Sequence, residues 1–237
     1  IRLVSGLHLE VDNIAFNGLA SSLALLSTEQ KELGTLVIDL GAGTTEYAIY
    51  SAGVIRHTGV LAVGGDHVSN DLAYGLKMPL GRAEQLKIEH GSAIIDPEAN
   101  NRTVDLSTDS VIPGKKVNLG HLQMIMSMRL QETFELIAKD IEQAGLIDYL
   151  RAGVVLCGGS ARTPFITRLA RDVFGLPSAI GRSSTVSGIK NALDEPEFAT
   201  PVGLIKFGAF QSQTAPRREG FGRAIRKQFA SLFGGKK

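Results

Sequence analysis

Apolar and polar positions follow different periods in successive blocks of the chain. Residues 1–33 read as a helix, a short strand over VDNIAF (11–16) and an apolar helix over GLASSLALLSTEQKELG (18–34). Thr35–Leu40, TLVIDL, is a continuous apolar run of strand length, as expected of a strand covered on both faces. After the turn GAGTT, EYAIYSAG alternates apolar with polar as a second strand does, and VIRHTGVLAV gives a third strand. Tight turns between the three predict an antiparallel meander.

Beyond it the period lengthens. GGDHVSNDLAYGLKM and GRAEQLKIEHG are helical, and the polar stretch 92–116 predicts short strands and loops. A long helix is expected over Leu119–Ala144, with Met124, Met128, Leu130, Phe134, Ile137 and Ile141 as its apolar stripe, so Met124 and Met128 are assigned to the core. VVLC ends in a Gly-Gly turn that leads into an amphipathic helix starting near Thr163–Pro164 and stopped by Gly175. PSAIGR predicts a short strand. EFATPVGLIKFGAF predicts a small-residue helix able to pack closely.

With 237 residues and 43% hydrophobic content, the chain is long enough for one or two domains with a real core. A net charge of +1 argues against nucleic acid as a partner. The charge is uneven, however. Between Pro216 and Lys237 stand Arg217, Arg218, Arg223, Arg226, Lys227, Lys236 and Lys237, opposed only by Glu219. Within that tail Phe221, Ile225, Phe229, Leu232 and Phe233 fall inside a wedge of about 120° at helical spacing. Arg223 and Lys227 lie opposite. A basic amphipathic helix of this kind suits a membrane interface, and QSQTAPRREG before it reads as a linker.

Cys157 is the sole cysteine and is expected in the core at a strand end; a disulfide framework is excluded. The five histidines show no metal-ligand spacing, which leaves Mg²⁺ as the one metal to consider. No apolar run reaches membrane-spanning length. The opening residues read as an element already under way, so a fragment is expected.

DLGAGTT places Asp39 at a strand end before a glycine turn. A P-loop needs a Lys and a following helix, and a dinucleotide fingerprint needs the helix, so both are excluded by context. What remains is a hairpin whose glycines either let backbone N–H groups approach a phosphate or simply close a tight turn. Asp39 could hold Mg²⁺ through water. In VVLCGGSARTP the glycines allow the backbone to lie against a ring or sugar, or merely connect strand to helix. Glu84 and Lys87 share a helix face, as a ligand-binding pair or a solvated ion pair.

Taken in order, DLGAGTTE, GGDHVSNDLA, AEQLKIEHG and CGGSARTP resemble the nucleotide-binding half of the actin, heat-shock chaperone and hexokinase superfamily. Residues 15–58 and EFATPVGLIKFGA further resemble the FtsA family of the bacterial divisome. That resemblance implies an α/β, actin-like (ribonuclease H-like) ATPase fold. Residues 1–33 would end the first domain. Residues 34–65 and 151–212 would form the nucleotide-binding subdomain, 66–150 an inserted subdomain, and 213–237 the linker and membrane-targeting helix.

By the same resemblance Asp39, Gly41, Gly43, Thr44 and Thr45 would face the phosphates and Mg²⁺ of ATP, with Gly65 near them. Glu84 and Lys87 would flank the ribose. Gly158, Gly159 and Ser160 would line the adenosine, and Arg162 would stack on adenine. Arg129 and Glu132, on the long helix, would meet the FtsZ C-terminal peptide. The implied role is an ATP-binding protein, with slow hydrolysis at most, that self-associates into filaments. It would tether FtsZ to the cytoplasmic face of the inner membrane at the division site and help assemble the septum. Because the first phosphate loop would precede Ile1, weak ATP binding is expected of this chain alone. Two other readings stay open here. A heat-shock-type chaperone would continue into a substrate domain, and a PilM-like pilus adaptor would lack the membrane anchor.

Overall fold

The computed structural model describes residues 1–106, 113–183 and 193–214; the tail from 215, including the expected membrane helix, lies outside the described residues. Five strands form one sheet in the order β3-β2-β1-β6-β7: β1 is Thr35–Leu40, β2 Thr45–Ser51, β3 Val54–Leu61, β6 Val154–Cys157 and β7 Ser178–Ile180. The first three form the predicted antiparallel meander, with Leu40 opposite Thr45 and Asp39 opposite Glu46. β6 pairs parallel to β1, placing Cys157 beside Asp39, and β7 pairs parallel to β6. Central β1 is buried on both faces except at Asp39 and reads as a run of apolar residues, whereas edge strand β3 alternates and is largely exposed.

Helices cover both faces. One face carries Leu36, Ile38, Leu40, Tyr47, Ile49, Val154 and Leu156. Against it pack α4 (Gly65–Gly75), α5 (Leu80–His90), α6 (Leu119–Gln143) and α7 (Ile166–Phe174). The short β4 (Thr103–Leu106) and β5 (Lys115–Asn118) pair in a separate two-stranded sheet. Residues of 66–150 therefore share a continuous apolar core with the large sheet. On the opposite face Val37, Ala48, Tyr50, Val155 and Cys157 are covered by residues around α2 (Asn17–Leu25) and α8 (Ala199–Thr214). α8 sits on α2 so closely that a Cβ at Gly203 would stand 1.7 Å from the Ala20 carbonyl oxygen.

Several expectations require correction. Residues 11–16 form no strand, because no neighbouring strand offers them a ladder. α1 is only Arg2–Ser5. The helix expected over 18–34 is two: α2, and α3 (Thr28–Leu33), which begins at Ser27 with a reciprocal Ser27–Gln30 capping box. The helix after the second glycine turn starts at Ile166, two residues beyond Pro164, because Gly159–Arg162 first makes a 3₁₀ turn. On α6 the buried stripe is Leu122, Met126, Leu130, Phe134, Ile137 and Ile141. Met124 and Met128, assigned to the core, are instead 41% and 66% exposed. They lie on the neighbouring helix side, which stays exposed among the described residues.

Candidate functional site

The two glycine bends meet. At the first, the Gly41 N–H closes the hairpin on Thr44 O (3.0 Å), and Gly65 and Asp66, the first residues of α4, donate to Gly41 O (3.0 Å) and Ala42 O (2.8 Å). At the second, Gly158 adopts φ 85°, a conformation that favours glycine, and its space is closed by Asp39 Oδ1 and Leu40 O, each 2.5 Å from where a Cβ would stand. Ser160 then donates to Gly41 O at 3.4 Å. A Cβ on Gly65 would stand 2.7 Å from Ser160 Oγ and 3.5 Å from Lys87 Nζ. Glycine at 65 thus keeps open the meeting point of hairpin, α4, α5 and the 3₁₀ turn.

A cleft of about 390 Å³ opens there. Gly65, Glu84, Lys87, Gly159, Ser160 and Arg162, all expected as site residues, line it, together with Ala42. Lys87 Nζ lies 2.7 Å from Glu84 Oε2 and donates to Gly65 O (3.0 Å) and Ser69 Oγ (2.8 Å); Ser69 in turn donates to Glu84. Partial burial pulls the Glu84 carboxyl upward, but the hydrogen bonds from Lys87 and Ser69 and the Lys87 charge outweigh it and hold it below its ordinary value. The Glu84 carboxylate is therefore a fixed, ionised element of the wall. Ser69 was not singled out from the sequence, although it lies in GGDHVSNDLA, four residues after Gly65 on the same helix. The apolar part of the wall, Met126 and Leu130 from α6 with Ile88 at the rim, was also missed. On periodicity alone these are ordinary helix-core residues.

Other expected residues stand elsewhere. Gly43 and Thr44 form the exposed hairpin tip, with open space around Gly43. Thr45 is fully buried and its hydroxyl donates to Val63 O (2.8 Å), so it fastens the end of β2. Asp39 lies beneath Gly158, accepting from Ser21 Oγ (2.6 Å) and Thr200 Oγ1 (2.7 Å) on its Oδ2. Its cross-strand partner Glu46 accepts from Asn17 on one oxygen (3.1 Å), while its Oε2 is buried without a partner among the described residues. Arg162 reaches the rim with its guanidinium engaged bidentately by Glu197 (2.9 and 2.6 Å) and by Glu195 (2.9 Å). Arg129 grips Asp71 of α4 through two bonds (2.5 and 3.1 Å) and also pairs with Glu132, so its charge clamps α6 to α4. Cys157 is buried as expected, and burial with the nearby Asp39 charge pushes its thiol well up.

The donor set suits a nucleoside phosphate. Main-chain glycines leave room for phosphate oxygens, the Lys–Glu–Ser group is polar and fixed, and the apolar floor offers a surface to a base. Among the described residues no three His, Cys, Asp or Glu side chains cluster as a metal cage. Asp39, the expected Mg²⁺ carboxylate, lies outside the cleft lining with its Oδ2 engaged by Ser21 and Thr200, so any hold on Mg²⁺ would have to run through bound water.

A profile of the family described as Cell division protein FtsA matches residues 36–203. The chain belongs to the FtsA family. It is 34% identical over 200 residues to the Cell division protein FtsA of Pseudomonas aeruginosa, covering 84% of this chain and 48% of that protein. It is 35% identical over 198 residues to that of Neisseria meningitidis, and 32% identical over 215 residues to that of Escherichia coli K12. The chain spans about half the length of these FtsA relatives (48–51%). Among solved structures, MreB5 of Spiroplasma citri bound to ADP superposes with a TM-score of 0.70 at 20% identity, covering 90% of this chain and 64% of that one. The PilM–PilN type IV pilus biogenesis complex gives a TM-score of 0.60 at 17% identity, covering 86% and 55%. The fold is thus that of the actin-like ATPases, as the motifs implied.

Proposed function

We propose that this chain forms one wall of an ATP–Mg²⁺ site in a cell division protein of the FtsA family, and that it self-associates and ties FtsZ to the membrane. The observation that carries the nucleotide reading is the convergence of the two glycine bends on one cleft, with Gly41, Gly65 and Ser160 in mutual contact. Support comes from the like-folded MreB5 of Spiroplasma citri, whose structures hold ADP and AMPPNP. Gly41, Ala42, Gly65 and Ser160 would take the phosphates, Lys87 and Glu84 the ribose, and Met126 and Leu130 would floor the base pocket. Asp39 would hold Mg²⁺, whose bound charge would screen the phosphates. Arg162 would serve as a rim group held by Glu195 and Glu197, a weaker stacking partner than a free guanidinium.

For the FtsZ peptide, Arg129 is committed to Asp71, and the exposed Met124 and Met128 beside Glu132 offer the better contact on α6. Among the described residues no helix is long and apolar enough to cross a membrane. Attachment to the cytoplasmic face at the division site would rest on the basic amphipathic segment 217–237.

Titration calorimetry of the intact polypeptide with ATP and Mg²⁺ tests the nucleotide reading. Gly65→Val fills the meeting point and is expected to weaken binding by about tenfold or more. Equal binding by the variant and the wild type overturns it. Vesicle co-sedimentation with and without 217–237 tests the membrane attachment.

A further inference from the structure

Lys87, on the wall of the cleft, has no hydrogen left for a ligand. Its ammonium carries three N–H groups, and three protein oxygens stand around it: Glu84 Oε2 (2.7 Å), Ser69 Oγ (2.8 Å) and Gly65 O (3.0 Å). Its side chain is 17% exposed, against 40% for Glu84, so Glu84 is the open member of the pair. Ser69 is buried behind the wall, on the second turn of α4, and does not itself line the cleft. Its hydroxyl has one proton. It accepts from Lys87 and donates to Glu84 Oε2, with Gly65 O (3.1 Å) as the other acceptor in reach.

Ser69 and Lys87 therefore hold the same oxygen of Glu84. Among the described residues no hydrogen bond is made to the other oxygen, Oε1, and an ionised carboxylate can only accept. The second cation that lines the cleft, Arg162, is taken up by Glu195 and Glu197. Both cations of the lining are thus spent on protein carboxylates. The open polar group on this wall is an acceptor, which suits a hydroxyl and repels a phosphate oxygen.

We infer that Ser69 and Lys87 are positioning residues for Glu84: they pin one carboxylate oxygen so that the other is left to the cleft as the acceptor for a sugar hydroxyl, and they thereby set a preference for nucleotides whose sugar keeps its hydroxyls. This rests on the nucleotide reading above, and it makes Lys87 a brace behind Glu84 at the ribose. With two partners on Oε2, the carboxylate cannot turn without losing one of them. With Ser69 deleted, Glu84 turns about the Lys87 contact alone. Lys87 also regains an N–H that competes for Oε1. Both changes act in one direction, leaving Oε1 less fixed and less free.

The test measures the affinity of the intact polypeptide for ATP and for 2′,3′-dideoxy-ATP, by competition against a fluorescent ATP analogue, with thermal melting beside it. The wild type is expected to prefer ATP by about tenfold, since one hydrogen bond to a charged group is at stake. Ser69→Ala removes a single oxygen. It is expected to cut the preference to about threefold or less, by weakening ATP while dideoxy-ATP binds as in the wild type. Lys87→Met keeps the stem and removes the donors; it is read through the same ratio and covers the case that Ser69→Ala does not fold. An unchanged preference in Ser69→Ala, with both nucleotides weakened alike or neither weakened, overturns the inference and leaves Ser69 a merely structural residue. A wild type that binds ATP and dideoxy-ATP equally overturns it while leaving the nucleotide reading intact. A wild type that binds neither overturns both.

Discussion

Gly203→Ala sets two physical effects against each other and so tests how α8 is seated. Helix propensity alone favours the change, because alanine in a helix interior is about 1 kcal/mol better than glycine. Packing opposes it. The added Cβ would stand 1.7 Å from Ala20 O, 2.3 Å from Ala20 C and 3.0 Å from its Cα. All three are backbone atoms, so no rotamer change relieves the clash. Reaching ordinary contact requires α8 and α2 to separate by roughly 1.5 Å, which forfeits dispersion contacts along the crossing. That separation also carries Thr200 out of reach of Asp39, now 2.7 Å away, and Lys206 away from the carbonyls it caps. Overpacking costs about 1–3 kcal/mol and the lost charge-assisted hydrogen bond about 1.5–3 kcal/mol. After the propensity gain the net loss is about 1.5–5 kcal/mol, a fall in Tm of roughly 3–20 °C for a domain of this size. Urea unfolding followed by circular dichroism, with thermal melting beside it, reads this directly. A Gly203→Ala protein as stable as the wild type, or more stable, refutes the reasoning, because propensity would then have won and α8 could not be seated as described.

Two further outcomes follow from other parts of the structure. Asp140 accepts from Tyr47 OH and bonds His57 Nε2, both at 2.5 Å, and these hydrogen bonds, the Tyr47 one largest, hold its carboxyl below its ordinary value while burial and Asp140 push the Tyr47 hydroxyl far up. A depressed folded-state pKa gives stability that is present above the unfolded carboxylate value, about 3.9, and is lost as pH falls through the folded value. Asp140→Asn is therefore expected to flatten the acid limb of a stability profile below about pH 4, and an unchanged limb in urea melts across pH 2–6 counts against the assignment. Met128→Glu places a charge on a residue already 66% exposed. It is expected to leave Tm unchanged, as surface substitutions usually do, while weakening capture of an FtsZ C-terminal peptide in fluorescence anisotropy. Unaltered peptide affinity removes α6 from that role.

The parts legible in the sequence were those set by local period and local chemistry. TLVIDL is apolar because β1 is covered on both faces; EYAIYSAG reads as alternating, yet β2 is buried on both faces too, with Tyr47 and Ile49 on one and Ala48 and Tyr50 on the other. Residues 119–143 hold one helical phase for seven turns. Their exact buried side was misjudged by one neighbouring stripe, since Met124 and Met126 are equally apolar and only the position of the sheet and of α4 decides between them. VDNIAF has a strand's composition, but a strand exists only where a neighbour completes its ladder. The capping box at Ser27 is a short-range signal that was present in the sequence and overlooked within a longer apolar run.

The sequence by itself determined the order of the elements, the two glycine bends and the Glu84–Lys87 pair on one helix turn, because each depends on residues within a few positions of one another. Only the tertiary structure decided that Arg129 is spent on Asp71, that Thr45 is turned inward to Val63, and that Ser69 completes the Lys87 group. It alone placed Ser21 and Thr200 on the same oxygen of Asp39. Those contacts span 15 to 161 positions of chain. Hydrogen bonds act over about 3 Å, so which distant groups come within that range is fixed by how the sheet and its two helical layers pack.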